Sequence, residues 1–321
     1  MIGVPIQGIS QTRSPIDASA EVETVPGHRS ISIPVDHHEQ PLDGAIWYPT
    51  MAHGATARVH GNAVFEPVAA QPDAPPADGR RPVVLLSHGL GGHFRSLSWL
   101  GAGLVHGTRV ADLSAALDHV QGDATWGERI DTSRLFAAGF SYGGWTALSM
   151  GGLRGNLAGY TAHCAEVADA SSHCADIARA GVALDSLDAQ RWDADYRDER
   201  LAGVVAIDPG LIHGLEPADA NDVIETVRLI SLGQGDDRLL ATDYDLAGLT
   251  TLLPGAVSDN IAPAAHFSVL PICTPAGPEI LKQERDDPVC DEPAGGDRAD
   301  VHARLIEAVA AVFEPTGPTE R

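Results

Sequence analysis

A serine in a glycine-rich turn is the residue of this sequence with the clearest chemical potential. The segment Gly139-Phe140-Ser141-Tyr142-Gly143 has the form G-x-S-x-G and stands between the apolar run RLFAAGF and the helical segment YGGWTALSM. A serine on a sharp turn from strand to helix has a strained backbone, and glycines two residues away let the two elements pass closely. The helix N-terminus favours negative charge that develops nearby. The pattern predicts that Ser141 is a nucleophile.

A serine hydroxyl needs a general base to become an effective nucleophile, and the base needs an acid that orients it. His266 follows the last strand-like segment, in Pro-Ala-Ala-His-Phe-Ser, and we expect it to be the base. The other histidines considered for this role are His163 and His173, in a polar segment, and His213, after a strand end.

Three aspartates are candidates for the acid. Asp208 ends the apolar segment VVAID, whereas Asp236 and Asp237 follow the next one, TVRLISLG. Each of the three could equally be a loop carboxylate or a helix cap. The residues alone leave the choice between them open.

The oxyanion of an acyl transfer needs two preorganised N–H donors. We expect the first to be the backbone amide of Tyr142, directly after the nucleophile. The second is expected at Leu90, in the segment HGLGG, whose glycines let the backbone approach a substrate. His88, at the start of that segment, is interpreted as a structural residue.

The elements that must position these groups alternate between strand and helix, which predicts a mostly parallel sheet with helices on both faces. RSISIPVDHH and GAIWYPT alternate like the strands of a hairpin, and the Pro-rich residues 66–81 read as a surface loop. The buried-strand segments are PVVLLSH, RLFAAGFS, VVAID and TVRLISLG, with a further strand or loop in GAVSDNIAPAAHF. Helical periodicity marks 95–106, 109–120, the segment after Ser141 and the closing RADVHARLIEAVAAVF.

Four cysteines form two local pairs in polar segments. Neither pair has the C-x-x-C spacing of a zinc or redox site. Disulfides Cys164–Cys174 and Cys273–Cys290 are expected as the simplest of the three possible connectivities, and the alternative is four reduced thiols in the cytosol. Disulfides indicate an oxidising compartment, and we expect a secreted or periplasmic protein. The N-terminal residues lack the basic and apolar regions of a signal peptide.

Composition excludes several classes of function. The net charge of −23 argues against nucleic-acid binding and against adhesion to anionic membranes, because both depend on Lys and Arg. No segment has the ~20 apolar residues that span a bilayer. The 44% of hydrophobic residues is that of a globular chain.

Four motifs together, SHGLGGHFRSLSWL, GFSYGG, VVAIDP and AAHFSVLPIC, resemble the platelet-activating-factor acetylhydrolase-like and dienelactone-hydrolase-like branch of the α/β-hydrolases. The similarity covers most of the chain. It implies one α/β-hydrolase domain over 1–321, and it supports Ser141, His266 and the amides of Leu90 and Tyr142 in the roles above. It also implies that Asp208 is the acid, with Asp236-Asp237 as the rival.

The chain departs from that family between two helical segments. The resemblance implies a further strand inside the sheet, but here Leu104-Val105-His106-Gly107 continues directly into Thr108. A four-residue join does not easily cross a sheet, so we interpret the sequence as lacking a segment at Gly107–Thr108; the alternative is a sheet that is rebuilt locally.

These observations predict a serine carboxylester hydrolase that acts on a small or medium ester through an acyl-enzyme and needs no cofactor or metal. The disulfide-bearing insertion 154–200 is expected to form a roof over the site, with Trp192 and Tyr196 as candidate lining residues. The alternatives are an amidase or peptidase with the same triad and a non-catalytic binding protein of the same fold.

Overall fold

The computed structural model of the chain describes residues 25–36, 39–52, 54–89, 92–93 and 110–313. The predicted helix over 95–106, the amide of Leu90 and the join at Gly107–Thr108 lie outside the described residues.

Five parallel strands form the larger sheet, in the order β5-β6-β7-β8-β9. The strands interior to the sheet are buried on both faces, which explains their continuous apolar runs. Every residue of Gly203–Ile207 is buried, for example. The five strands are β5 (Arg81–Ser87), β6 (Ile130–Phe140), β7 (Gly203–Ile207), β8 (Val227–Leu232) and β9 (Val257–Ile261).

Helices cover both faces of this sheet, so the predicted fold class is confirmed. One apolar cluster joins the sheet to α1 and α2 through residues such as Leu117 and Leu148. A second cluster on the opposite face joins it to the closing helix through Val301 and Leu305. The helices are α1 (Val110–Gly122), α2 (Tyr142–Met150), α3 (Leu157–Val167), α4 (Ser172–Arg179), α5 (Ala189–Trp192), α6 (Leu249–Leu252), α7 (Gly277–Glu284) and α8 (Arg298–Ala310).

A second sheet contains the predicted hairpin, in the order β2-β1-β4-β3. The loop predicted over 66–81 is partly wrong, because Val68–Pro72 forms β4 and pairs in parallel with β1. The short sequence VAAQP has no strong alternation, and one of its two partner strands, β1, is remote in sequence. The other strands are β1 (Gly27–Ile33), β2 (Leu42–Tyr48) and β3 (Ala57–Val59).

The two sheets are not hydrogen-bonded to each other among the described residues, and β5 is an edge strand of the larger one. A small apolar cavity of about 30 Å³ separates Ile31 and Ile33 of the hairpin from Val83 and Leu85 of β5.

The segment 154–200 connects α2 to β7 and contains α3, α4 and α5. The disulfide Cys164–Cys174 joins α3 to α4, and the predicted pairing is confirmed. Cys273–Cys290, also as predicted, ties the ends of a segment that contains α7. Disulfides of this kind are typical of proteins from oxidising compartments.

Within the described ranges, every helix is too short or too polar to cross a bilayer.

A buried histidine on α8 makes stability depend on pH. His302 is 6% exposed, and its Nε2 lies 3.0 Å from the Leu270 carbonyl oxygen. Burial lowers the pKa of His302 to about 4 from the usual 6.5. Between these values the unfolded chain binds a proton that the folded chain does not, so this histidine lowers the free energy of unfolding as the pH falls from about 6.5 to about 4.

We predict that His302→Gln makes the melting temperature less sensitive to pH between 7 and 5. The amide of glutamine can still donate to Leu270, so the variant is expected to fold. His119→Gln, at an exposed histidine of α1, is the matched control and is expected to keep the wild-type slope. Identical slopes in all three proteins, measured by calorimetry, would contradict the prediction.

Candidate active site

Ser141 lies on a strained turn between β6 and α2. Its φ of 57° and ψ of −120° are sparsely populated for a residue with a side chain. A Cβ on Gly139 would overlap the backbone of Gly143, and a Cβ on Gly143 would overlap the backbone of Ser87. Gly139 is therefore required by the close passage of β6 and α2, and Gly143 by the close approach of α2 to the end of β5.

Hydrogen bonds fix the backbone of the turn on both sides. The Ser141 amide donates to the Ile207 carbonyl at 2.9 Å, and the Ser141 carbonyl accepts from Gly210 at 3.0 Å and from Trp145 at 3.1 Å. Such bonds over-determine the conformation, which is the condition under which backbone strain persists in a folded protein.

The structure brings together Ser141, His266 and Asp208. His266 Nε2 lies 3.2 Å from Ser141 Oγ, and His266 Nδ1 lies 2.5 Å from Asp208 Oδ2. The three residues are 6%, 8% and 1% exposed, in the order Ser141, His266, Asp208. The ring of Phe140 packs against the imidazole with the centroids 4.6 Å apart.

Asp208 is held by hydrogen bonds other than the one to the histidine. The Leu232 amide donates to its Oδ1 at 3.1 Å, and Thr242 Oγ1 donates to its Oδ2 at 2.9 Å. A carboxylate that is almost fully buried needs such donors, because an unpaired buried charge is costly. Thr242 is a site residue that the sequence analysis missed, and nothing in its neighbouring sequence distinguishes it.

The rival acids lie elsewhere. Asp236 and Asp237 form part of the short 3₁₀ helix Gly235–Asp237 and are exposed. Neither forms a hydrogen bond or ion pair with His266, whose Nδ1 is bonded to Asp208. The geometry therefore favours Asp208 over this pair.

The other three histidines lie near the site without entering this chain of hydrogen bonds. His163 and His213 stack with their ring centroids 4.0 Å apart, and His213 Nε2 lies 3.0 Å from the Leu240 carbonyl oxygen. The imidazole of His173 packs against Gly210, and burial lowers the pKa of His173 to about 4. His173 is thus neutral at ordinary pH.

Of the two predicted oxyanion donors, Tyr142 is among the described residues and Leu90 is not. Tyr142 is the first residue of α2, and the first amides of a helix have no acceptor within the helix. Leu90 lies outside the described residues, so its role stays a prediction.

The hydrogen bonds run from a hydroxyl to an imidazole to a carboxylate. In such an arrangement the proton of the hydroxyl can pass to the imidazole nitrogen, while the carboxylate holds the imidazole in one tautomer. The arrangement fits nucleophilic attack by the hydroxyl on an electrophilic carbon or phosphorus. Across the described ranges, no group of three or more His, Cys, Asp or Glu side chains is placed to hold a metal ion.

Comparison with solved structures agrees with the architecture. The chain is similar to a ferulic acid esterase from Streptomyces cinnamoneus, with a TM-score of 0.58, 17% identity and 95% of each chain covered. An esterase from Pyrobaculum calidifontis has a TM-score of 0.42 and 13% identity over 90% of this chain and 87% of that one. The carboxylesterase EstE1, cloned from a metagenomic library, has a TM-score of 0.44 and 12% identity over 90% of each chain.

No family model matches the sequence, and no curated protein matches it. The first similarity, together with the parallel sheet covered by helices on both faces, shows that the chain has the α/β-hydrolase fold.

We predict that Asp208→Asn slows the covalent labelling of Ser141 by a fluorophosphonate by about two orders of magnitude or more. An amide at this position donates to His266 and selects the wrong imidazole tautomer for proton transfer. In the labelling reaction the Oγ–P bond forms as fluoride leaves. The rate is measured by intact-protein mass spectrometry, from the mass that the adduct adds. Asp236→Asn is the matched control, and we expect it to label at the wild-type rate. The reverse order of rates would identify Asp236 as the acid.

Proposed function

We propose that the protein is a serine carboxylester hydrolase. The observation that carries the proposal is the chain of hydrogen bonds from Ser141 Oγ through His266 to Asp208, on a strained turn at the start of a helix. A buried, connected triad of this kind has no evident structural purpose, because each of its polar groups would be costly to bury alone.

In the first half-reaction, Ser141 Oγ attacks the ester carbonyl carbon while His266 Nε2 takes the hydroxyl proton. Asp208 accepts the Nδ1–H hydrogen bond and stabilises the imidazolium that forms. The tetrahedral intermediate then collapses, the bond to the alcohol oxygen breaks, and His266 returns the proton to the leaving alcohol. The product of this step is an acyl-enzyme at Ser141.

In the second half-reaction, water takes the place of the alcohol. His266 removes a proton from the water, the hydroxide oxygen bonds to the acyl carbon, and Ser141 leaves with the proton from His266. The carboxylic acid is released and the hydroxyl is restored, so no cofactor enters the balance.

The backbone amide of Tyr142 is proposed as one donor to the oxyanion of both tetrahedral intermediates, and that of Leu90 as the other. Removal of one such donor in other hydrolases costs roughly 10²–10³ in rate. Both assignments follow from the motif positions relative to Ser141 and to β5.

The segment 154–200 is proposed to form the roof of the substrate site. The supporting observation is His173 of α4, whose imidazole packs against Gly210, two residues after Asp208. The disulfide between Cys164 and Cys174 holds the helix that carries this residue. We further propose a secreted or periplasmic location and, from the motifs, membership of the acetylhydrolase-like branch.

The proposal is tested with p-nitrophenyl acetate, p-nitrophenyl decanoate and the corresponding p-nitroanilides. We predict ester hydrolysis that falls by at least about 10³-fold in Ser141→Ala, because the acyl-enzyme no longer forms. Ser133→Ala, at an exposed serine of β6, is the matched control and is expected to retain full activity. A brief burst of p-nitrophenol from the wild type would report accumulation of the acyl-enzyme.

The alternatives give different results in the same assay. Faster cleavage of the anilides than of the esters would identify an amidase. Equal rates in wild type and Ser141→Ala, or no reaction with any substrate or with a fluorophosphonate, would contradict the proposal and favour a binding protein.

A further inference from the structure

A cavity of about 480 Å³ opens beside the turn that carries Ser141. None of the three triad residues lines it. Tyr142, the residue after Ser141, lies in its wall. The rest of the wall on this side comes from one face of α2, where Trp145, Thr146 and Ser149 follow at helical spacing. The cavity therefore adjoins the residue that follows the proposed nucleophile.

The end of the 154–200 segment also lines the cavity and contributes Trp192 and Tyr196. Together with Trp145 of α2 they make much of the lining aromatic. Aromatic side chains in a cavity wall favour a flat aromatic ligand through stacked or edge-to-face contacts.

The aromatic wall is fixed in place by its own contacts. Tyr196 Oη donates to the Arg191 carbonyl at 2.6 Å, and Asp193 accepts from the Leu157 amide at 2.8 Å. Asp195 pairs with Arg154 at 3.3 Å. A wall held in this way is preorganised, which reduces the entropic cost of binding.

One cation lies in this wall without an ionic partner. The guanidinium of Arg191 lines the cavity and forms no ion pair with any carboxylate of the described residues. The neighbouring Asp188 carboxylate accepts hydrogen bonds from the Gln190 and Arg191 backbone amides at 3.0 and 3.3 Å. Arg191 is thus an exposed cation in the cavity wall that no described carboxylate neutralises by an ion pair.

The position of His266 indicates which part of an ester this cavity would take. The alcohol must leave next to His266, which returns its proton, and His266 is not part of the cavity wall. The cavity lies instead against α2, so it would hold the acyl part of the substrate.

We propose that this cavity is the acyl subsite for an aromatic acid that carries a second carboxylate, with Arg191 binding that carboxylate. The inference deepens the proposed function and rests on it for the acyl orientation. Arg191 binds an anion through the planar guanidinium, which matches a carboxylate with two parallel hydrogen bonds.

Binding is tested without turnover, in Ser141→Ala. The ligands are monomethyl terephthalate and methyl 4-methylbenzoate, which share the ring and the ester and differ in a carboxylate or a methyl group at the far end. We expect the dissociation constant of monomethyl terephthalate, measured by ligand-observed NMR titration, to rise about tenfold when Arg191→Gln is added, as a charge-assisted bond is lost. Trp192→Leu is expected to weaken both ligands.

Turnover is then compared as the ratio of kcat/KM for the two esters. We expect the wild type to favour the carboxylate ester and Arg191→Gln to lower the ratio about tenfold. Arg179→Gln is the matched control: this exposed arginine of α4 carries the same charge outside the cavity and pairs with Asp176. The control variant is expected to leave both values unchanged.

The two hypotheses fail in different ways. Hydrolysis of both esters with the same ratio in wild type and Arg191→Gln would overturn the assignment of the subsite while the esterase function stands. An Arg191-dependent dissociation constant in a protein that hydrolyses no ester would support the subsite and overturn the esterase function. Equal effects of Arg191→Gln and Arg179→Gln would show a general charge effect and overturn the assignment.

Discussion

The close passage of β6 and α2 at Ser141 is the constraint on which the rest of the site depends. Only glycine fits at position 139, because a Cβ there would meet the backbone of α2, and only glycine fits at position 143, because a Cβ there would meet the backbone of Ser87 in β5. The turn in between places Ser141 in a sparsely populated conformation at the C-terminal edge of the sheet. The hydrogen bond that the Ser141 amide donates to the Ile207 carbonyl and the one that its carbonyl accepts from the Gly210 amide hold it there, so the strain is stabilised by β7 and by the loop that follows.

The buried carboxylate of Asp208 is also held in place by hydrogen bonds, and it in turn holds the imidazole of His266. Three donors satisfy it, namely the Leu232 amide, the Thr242 hydroxyl and the imidazole of His266. All three come from the chain after β7, so the fold itself orients the carboxylate before any substrate binds. The imidazole is in turn held between Asp208 and the ring of Phe140. Preorganisation of this kind is the part of catalysis that a folded protein supplies most directly.

Sequence reasoning predicted both disulfides and the strands of the larger sheet, and these are confirmed, since each has a local pattern. It also predicted Ser141 as nucleophile and His266 as base; their side chains lie 3.2 Å apart, and their catalytic roles stay predictions. It left the acid open, because an aspartate after a strand looks the same whether or not it meets a histidine. Thr242 was missed because its partner Asp208 is remote in sequence and its own neighbours carry no distinctive pattern. The short β4 was missed because VAAQP has no alternation, and one of its two partner strands, β1, is remote in sequence. The shape of the cavity beside Tyr142 also depends on tertiary contacts alone.

The charge of the protein and the charge of the proposed subsite act over different distances. A net charge of −23 repels an anionic ester during approach, but exposed charges more than about 8–10 Å apart are largely screened at physiological salt. A guanidinium in hydrogen-bond contact with a carboxylate is much less screened. The acidic surface would therefore slow association without abolishing selectivity, and discrimination would arise from one arginine on a wall held rigid by Asp193 and Asp195. The inserted segment would then determine which substrate binds, while the sheet positions the residues of the triad.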